Sequence, residues 1–441
     1  MKALFAIAVV TIGFFSCRQA GDAPARQTPM AVVGDTSQYQ IIIPSRDSLY
    51  NKILGSLVGS AIGDAMGAPT EMWNRKDRQT SYGYVKALDP SFIDPSPEGL
   101  WDFHLPTGTT TDDTRWKFLV GKYITKELTT FYQLQGPDPY SFAKHIRTAY
   151  LDEVRRLKET PGYDPEDIEG NIRRMAWLQE WAQVAEPFAA KDLEGYTSAL
   201  HRFYGGELLC AGMLYAPVVA LPYPGHPEKA YQASYRLGIF DQGYARDITG
   251  LTSALVSAAL PYEATPESIM EVFRQVDPND YFRRRLFGRV AFRTYQEAQR
   301  INQRAKEIAE CPEGKIVLPI LNGDSLATCQ LEYAYKRLDQ QNQDAPAHAQ
   351  EILLVTVTAI LFSDFDFQSS MEFITNYGRD NDTSGAVAGA ILGAYHGFDQ
   401  LPGSLKQQVL ETNRTNLGID LEVLAATITD TIIRADELQF L

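Results

Sequence analysis

The chain has 441 residues, 44% of them hydrophobic, and its 55 acidic and 41 basic side chains give a formal net charge of −14. The apolar fraction excludes a disordered protein, and the acidic balance argues against a nucleic-acid partner, because phosphate binding needs clustered lysine and arginine. None of the four cysteines and six histidines lies in a CxxC or HExxH motif, so a zinc site is not expected.

The first residues have the pattern of an export signal. Lys2 precedes an apolar run, Ala3–Phe15, that is too short to span a membrane as a mature helix, and Ser16-Cys17 follows. A cysteine after a small residue at this point resembles a bacterial lipoprotein signal, in which the cysteine is acylated. The alternative is an ordinary signal peptide that contains a cysteine. Either interpretation predicts an exported protein, periplasmic or at the cell surface, and the first adds a lipid anchor at Cys17.

The domain prediction follows from this start. Residues 1–17 form the signal, residues 18–45 a flexible tether, and residues 46–441 a single all-α domain, since no interior segment is biased enough to separate domains. The best strand candidate is Lys315–Leu321, which Pro319 weakens. Apolar residues at helical spacing predict helices over Ser141–Leu157, Asn171–Val184, Glu228–Leu237, Pro266–Gln275, Phe292–Ile308 and Ala347–Phe362.

Two segments carry glycine at every fourth position, which places these residues on one face of a helix. The first segment has Gly55, Gly59, Gly63 and Gly67, and the second has Gly385, Gly389, Gly393 and Gly397. Glycine inside a helix costs roughly 1 kcal/mol relative to alanine, so four in register indicate a close approach of two backbones. The alternative is a membrane dimer, against which a charged residue inside the first segment argues. We therefore predict a buried helix pair.

Acidic residues lie near the ends of these segments and in a third cluster. Glu71 follows the first segment after Pro69, and Gly378–Thr383 (GRDNDT) precedes the second, where Thr383 or Ser384 is expected to cap the helix. Thr111–Thr114 (TDDT) opens a helical run over Arg115–Leu128. Each cluster alone is compatible with simple helix capping. Together, five carboxylates and several threonine hydroxyls are hard oxygen ligands that suit Mg²⁺, Mn²⁺ or Ca²⁺.

The three motifs together resemble those of the ADP-ribosylglycohydrolase family. The family's opening pattern, G-x-L-x-G-x-A-x-G-D-A-x-G-x-P-x-E, corresponds to Gly55–Glu71. Its T-D-D-T and G-x-D-x-D-T motifs correspond to Thr111–Thr114 and Gly378–Thr383. The resemblance extends over about residues 48–435, with a weaker middle. It implies an all-α fold, a compact orthogonal helical bundle whose cleft holds two Mg²⁺ ions, with Mn²⁺ as a substitute.

The resemblance also implies roles for individual residues. The family's ions hold the ribose hydroxyls of ADP-ribose and position a water near the anomeric carbon, which predicts a hydrolase of the glycosidase type. Its substrate would be an ADP-ribosyl group, carried by a protein or a small molecule. The implied catalytic residues are Glu71, Asp113 and Asp380, and we interpret Asp64 as part of the helix pair first and of the metal shell second. The implied metal ligands are Thr111, Asp112, Asp113, Asp380, Asp382 and Thr383.

The middle of the chain departs from the family. Many members carry an arginine in a middle motif where this chain has Leu214, so substrate contacts are expected to differ. Candidate substrate contacts are Phe103, which could stack on a base, His104, which could contact a phosphate, and Tyr215. The loop with the first two could equally pack on the core surface. Two other functions stay open: a dimetal glycosidase for another exported nucleoside- or sugar-containing substrate, and a binding protein that has lost catalysis.

The cysteines beyond the signal have separate predicted roles. Cys311 and Cys329 could form a disulfide in an oxidising compartment, which the sequence does not decide. Cys210 lies in an apolar run and is expected to be a core residue rather than a reactive thiol.

Overall fold

The computed structural model describes residues 45–90, 105–133, 136–283, 286–311 and 324–437. Internal contacts divide the chain into residues 1–41 and 42–441, and all described residues belong to the second unit. Several predictions lie outside the described residues: the signal and Cys17, almost all of the tether, Phe103 and His104, and the strand Lys315–Leu321.

The described residues are almost entirely helical, which confirms the all-α prediction. They contain no β-strand, only the isolated bridges Trp73–Arg379 and Leu209–His348. The α-helices are, in chain order, α1 (Arg46–Gly67), α2 (Arg75–Tyr82), α3 (Asp112–Gln133), α4 (Pro139–Glu159), α5 (Ile168–Ala189), α6 (Leu193–Leu200), α7 (Ala216–Ala220), α8 (Pro227–Leu237), α9 (Ala245–Ala259), α10 (Pro266–Met270), α11 (Val272–Gln275), α12 (Val290–Lys306), α13 (Ser325–Asp339), α14 (Ala349–Phe362), α15 (Phe367–Tyr377), α16 (Asn381–His396), α17 (Gly403–Thr412) and α18 (Leu421–Glu437).

The predicted helices agree with this list to within a few residues, with one exception. The predicted helix Pro266–Gln275 is two short helices, α10 and α11, that meet at Glu271. Thr265 and Ser268 form a capping box at the start of α10. The helix predicted over Arg115–Leu128 begins three residues earlier, at Asp112, so both acids of the TDDT motif lie in its first turn.

The glycine segments form the central helix pair, α1 against α16. A Cβ placed on Gly59 would lie 2.3 Å from the carbonyl oxygen of Gly389, and one on Gly63 would lie 2.0 Å from that of Gly385. These positions run in opposite directions along the chain, so the helices are antiparallel and their backbones touch. No side chain larger than hydrogen fits at these positions, which explains why the sequence accepts the propensity cost.

The other helices surround this pair. α16 also packs against α9, α14 and α15, and α1 packs against α17 and α18. A ring cluster fills the space beside α3, where the Trp116 and Trp181 centroids are 4.0 Å apart and Phe240 lies 4.6 Å from Trp181. Among the described residues, no helix combines the length and the apolar character needed to cross a membrane. The glycine segments are therefore a buried core pair, as predicted.

The cysteines also take definite places. Cys311 and Cys329 form a disulfide with a Cα–Cα distance of 5.8 Å, which decides the open question of their pairing. Cys210 is buried, as expected for a core residue, although it also lies at the cleft described next.

Candidate metal centre and catalytic cleft

The first turn of α3 is held in place by Asp64 of the central helix pair. The Asp64 carboxylate accepts hydrogen bonds from the Thr111 and Thr114 amides, at 2.8 and 3.0 Å, and from the Thr114 hydroxyl at 2.6 Å. Asp64 is fully buried. It therefore connects α1 to the TDDT turn and fixes the direction in which the next two carboxylates point, a more specific role than helix pairing.

The first turn of α16 presents the second acidic motif. Asp380 is the N-cap residue, and its side chain accepts a hydrogen bond from the Thr383 amide. The prediction that Thr383 or Ser384 caps this helix was therefore wrong, because the helix already begins at Asn381 and both residues lie within it. The earlier start frees the Thr383 hydroxyl, which donates to Asp113 Oδ2 at 3.0 Å.

The two acidic turns converge, although about 270 residues separate them in the sequence. Ligand oxygens of Asp112, Asp113 and Asp382 all lie within 4.8 Å of one another. The Thr111 hydroxyl donates to Asp382 Oδ2 at 3.2 Å, so each turn is joined to the other through a threonine. Asp382 Oδ1 is buried and accepts no hydrogen bond from the described residues. Three carboxylates at this separation, one with an unused oxygen, could hold a metal ion.

A strained loop places Glu71 and Asp380 at the same cleft. Met72 and Arg379 both have positive φ angles, of 61° and 65°, and the Met72 amide donates to the Arg379 carbonyl at 2.8 Å. The Arg379 amide donates in turn to the Trp73 carbonyl at 2.7 Å. Positive φ is costly for residues with a Cβ, so this conformation needs support from its surroundings.

That support comes from a buried ion pair. The Arg379 guanidinium donates twice to the Glu351 carboxylate, at 2.7 and 2.8 Å, and once to the Gln343 carbonyl. Glu351 lies in α14 and is only 3% exposed. Arg379 thus anchors the backbone just before Asp380. Sequence reasoning missed this contact, because Glu351 lies in α14, 28 residues before Arg379, which lies between α15 and α16.

Burial and nearby charges raise the pKa values of three buried carboxylates, Asp64, Asp380 and Asp382. Burial raises the pKa of Asp64 to about 7, and the charge of Asp113 adds to the rise. Burial raises the pKa of Asp380 to about 6. The pKa of Asp382 lies well above its usual range because of burial and the nearby charges of Glu71 and Asp380. A cluster of this kind is poorly compensated without a cation.

One cation of the protein itself lies within the cluster. Lys117 Nζ donates to the side chain and to the backbone carbonyl of Asp113, both at 3.0 Å. The two side chains are 2% and 1% exposed. Sequence reasoning missed Lys117, although its spacing of four residues from Asp113 placed both on one helix face.

The acidic cluster adjoins apolar side chains in one open cleft. The cavity volume of this cleft is about 50 Å³, smaller than that of a typical small-molecule site. Its lining consists of Glu71, Met72, Asp112, Asp113, Trp181, Tyr204, Leu209, Cys210, Ala211, Leu214, Ala347, Asp380, Asp382 and Thr383. A larger groove between α4 and α5, with a cavity volume of about 660 Å³, pairs Arg147 with Glu186 and does not contain the acidic cluster.

The structure brings together most of the predicted site residues. Glu71, both acids of TDDT, and the two acids and Thr383 of the second motif line the cleft, and Thr111 contacts Asp382. Tyr215, predicted as a substrate contact, is fully buried and donates to the Leu237 carbonyl at 2.8 Å. Its neighbour Leu214 lines the cleft instead.

The donor set fits a divalent cation that prefers oxygen. Carboxylates and hydroxyls are the ligands that Mg²⁺, Mn²⁺ and Ca²⁺ use, and the unused oxygen of Asp382 would gain a partner from a bound ion. Among the described residues, no histidine or cysteine joins the group of three converging acids, which disfavours zinc. The fold and the cleft together define an all-helical protein with an oxygen-ligand centre at the N-termini of two helices.

Comparison with known proteins gives the family. The ADP-ribosylglycohydrolase family profile matches residues 45–437, so the chain belongs to that family and is a hydrolase of the glycosidase type. Among curated protein sequences, none matches the chain significantly. One solved structure, described as an ADP-ribosylglycohydrolase-related protein complex, matches with a TM-score of 0.52 and 17% identity, covering 88% of this chain and 99% of the other. At this identity the likeness supports the fold alone.

Proposed function

We propose that the protein hydrolyses the ribosyl bond of an ADP-ribosylated substrate or an ADP-ribose derivative, with two Mg²⁺ ions in the cleft. The convergence of Asp112, Asp113 and Asp382 within 4.8 Å carries this proposal. It is the arrangement that a family hydrolase needs, assembled from two distant motifs. Mn²⁺ would be able to replace Mg²⁺, since both prefer oxygen ligands.

The protein's own residues would divide the work as follows. Six residues would hold the cations: Thr111, Asp112, Asp113, Asp380, Asp382 and Thr383. When bound, divalent cations hold vicinal hydroxyls and lower the pKa of a water. Glu71 lines the same cleft and would act as the acid or base that moves a proton at the scissile bond. Asp113 and Asp380 would offset the positive charge that develops on the ribose ring.

The apolar part of the cleft would receive the rest of the substrate. Trp181 and Tyr204 offer ring surfaces for a planar group. Leu214 is apolar and carries no charge that could bind a phosphate. Phe103 and His104 remain predicted contacts for a base and a phosphate.

The test combines activity with metal binding. The protein would be incubated with Mg²⁺ and ADP-ribosylated protein, ADP-ribosyl-arginine or O-acetyl-ADP-ribose, and release of ADP-ribose would be measured. Asp382→Asn would abolish release and calorimetric Mg²⁺ binding, whereas Asp399→Asn, a substitution in the loop after α16, would leave both unchanged. If a sample that binds Mg²⁺ releases nothing from the three substrates, the ADP-ribosyl assignment is refuted.

Two alternative functions each have a specific observation in their favour. A dimetal glycosidase for another nucleoside or sugar would suit export, because ADP-ribosylated proteins are mostly intracellular, and a panel of nucleosides and glycosides would separate it from the first proposal. A binding protein without turnover would suit Leu214 and the altered middle motif. Ligand binding without product in every assay would favour it.

We also propose that the protein is exported and anchored to a bacterial membrane by a lipid on Cys17. The support is the short apolar run followed directly by Ser16-Cys17. Labelled palmitate should enter the expressed protein and should not enter Cys17→Ala. A chain that lacks the label and is released as a soluble exported protein would instead favour an ordinary signal peptide.

A further inference from the structure

We propose that Lys117 is a built-in counter-cation of the acidic cluster and weakens cation binding on the Asp113 side of the cleft. The two predicted ion positions are therefore unequal, with the stronger one on the Asp382 side. This inference rests on the proposed metal site and adds a residue that tunes it.

The contacts of Asp113 carry the first step of the argument. One carboxylate oxygen, Oδ1, accepts from Lys117 Nζ at 3.0 Å, and the other, Oδ2, accepts from the Thr383 hydroxyl at 3.0 Å. The Lys117 ammonium donates further to the Asp113 carbonyl, so it is held at two points. Both oxygens of Asp113 thus already have partners before any cation arrives.

Burial makes this ion pair matter. Lys117 and Asp113 are 2% and 1% exposed, so water screens their interaction very little. A divalent cation bound to Asp113 would lie within a few ångströms of the ammonium and would be repelled by it. The repulsion acts on the ion next to Asp113 more strongly than on one held elsewhere in the cleft.

Asp382 presents a different situation. Its Oδ2 accepts the Thr111 hydroxyl, at 3.2 Å, and its buried Oδ1 accepts no hydrogen bond from the described residues. An ion bound to Asp382 therefore meets an unused oxygen, whereas both oxygens of Asp113 already have partners.

The experiment measures Mg²⁺ binding by calorimetry in the full-length wild type and in full-length Lys117→Met. Methionine is unbranched and similar in length to lysine but carries no charge. The wild type should bind a stronger and a weaker ion, and the variant should bind the weaker one at least about tenfold more tightly, because unit charges about 4 Å apart interact strongly even at an effective dielectric constant of about 20. Lys117→Gln, which keeps a donor but no charge, should behave like Lys117→Met. Lys126→Met, an exposed position on the same helix, is the matched control and should bind as the wild type does.

A second readout does not depend on a titration curve. Without cation, Lys117→Met should melt at a lower temperature than the wild type, because Asp113 loses its counter-charge. Added Mg²⁺ should raise its melting temperature by more than that of the wild type. A variant that is merely damaged would bind Mg²⁺ more weakly, not more tightly.

Several results would overturn the inference. Unchanged or weaker Mg²⁺ binding by both Lys117 variants would overturn it while the metal site itself stands. Two equal strong ions in the wild type would do the same. Absence of Mg²⁺ binding in wild type and variants alike would overturn the metal site and the inference together.

Discussion

Replacing Gly67 by alanine should damage the metal centre without touching a carboxylate. Gly67 is the last residue of α1 and lies against the first turn of α16. A Cβ on Gly67 would lie 2.3 Å from the Asp382 amide nitrogen, whereas real Cβ contacts begin near 3.0 Å. One helix end must therefore move by about 0.7 Å, the difference between these distances. Backbone atoms cannot rotate out of the way, so the movement displaces Asp382 itself.

The magnitude follows from the tolerance of the site. Ligand distances at a metal centre are held within about 0.2 Å, so a shift of about 0.7 Å should weaken Mg²⁺ binding at least about tenfold. The steric overlap should also lower the free energy of unfolding by about 1–3 kcal/mol. Calorimetry would measure the first effect and urea denaturation, monitored by circular dichroism, the second.

The matched control is Gly403→Ala. Gly403 begins α17, and a Cβ there would have no atom within 4 Å, so both quantities should stay close to those of the wild type. If Gly67→Ala binds Mg²⁺ as tightly as the wild type and unfolds at the same urea concentration, then the helix contact does not position Asp382. The link between the glycine pair and the cleft would be refuted.

Three further predictions concern charge. Mg²⁺ binding should tighten as the pH rises from 5 to 8, because the pKa of Asp380 is raised to about 6 and that of Asp382 well above its usual range, so protons compete with the cation; calorimetry with equal affinity across this range would contradict the raised pKa values. The sign for stability is opposite. A pKa raised in the folded state stabilises at low pH, so the metal-free protein should lose stability as the pH rises from about 4 through about 7, past the raised pKa values of Asp380 and Asp64. Arg379→Met should lower the free energy of unfolding by about 1–3 kcal/mol, since it leaves buried Glu351 with the Gln343 amide as its remaining donor. In the same denaturation assay, Arg46→Met, which breaks an exposed pair, should change the free energy of unfolding far less than Arg379→Met does, and equal losses would contradict the role of burial.

The features that were predicted well from the sequence depend on residues that are close together in the chain. Glycine at every fourth position specifies a close helix pair by itself. The TDDT and GRDNDT motifs supply oxygen ligands whatever their position in the fold. Their meeting point could be inferred only from the family resemblance, since nothing local in TDDT specifies a partner about 270 residues away. The position of the cap at Asp380, instead of Thr383, depends on how the strained Arg379 backbone enters α16.

The features that sequence reasoning missed depend on tertiary packing. Arg379, between α15 and α16, is paired with Glu351 of α14, a contact with no local signal in the sequence. Tyr215 looked like a substrate contact because it adjoins the altered motif, but a 3₁₀ turn over Ala211–Leu214 directs Leu214 to the cleft and leaves the tyrosine in the core. Lys117 alone had a local signal, its spacing from Asp113.

The tryptophans give the molecule an optical property of its own. The chain has five, and four of them are described: Trp73, Trp116, Trp177 and Trp181. Trp73 bridges to the Arg379 backbone, Trp116 follows the TDDT turn with its ring centroid 4.0 Å from that of Trp181, and Trp181 itself lines the cleft. Three of the four described tryptophans therefore lie at or next to the cleft, so the intrinsic emission of the unlabelled protein should change when a cation or a ligand enters.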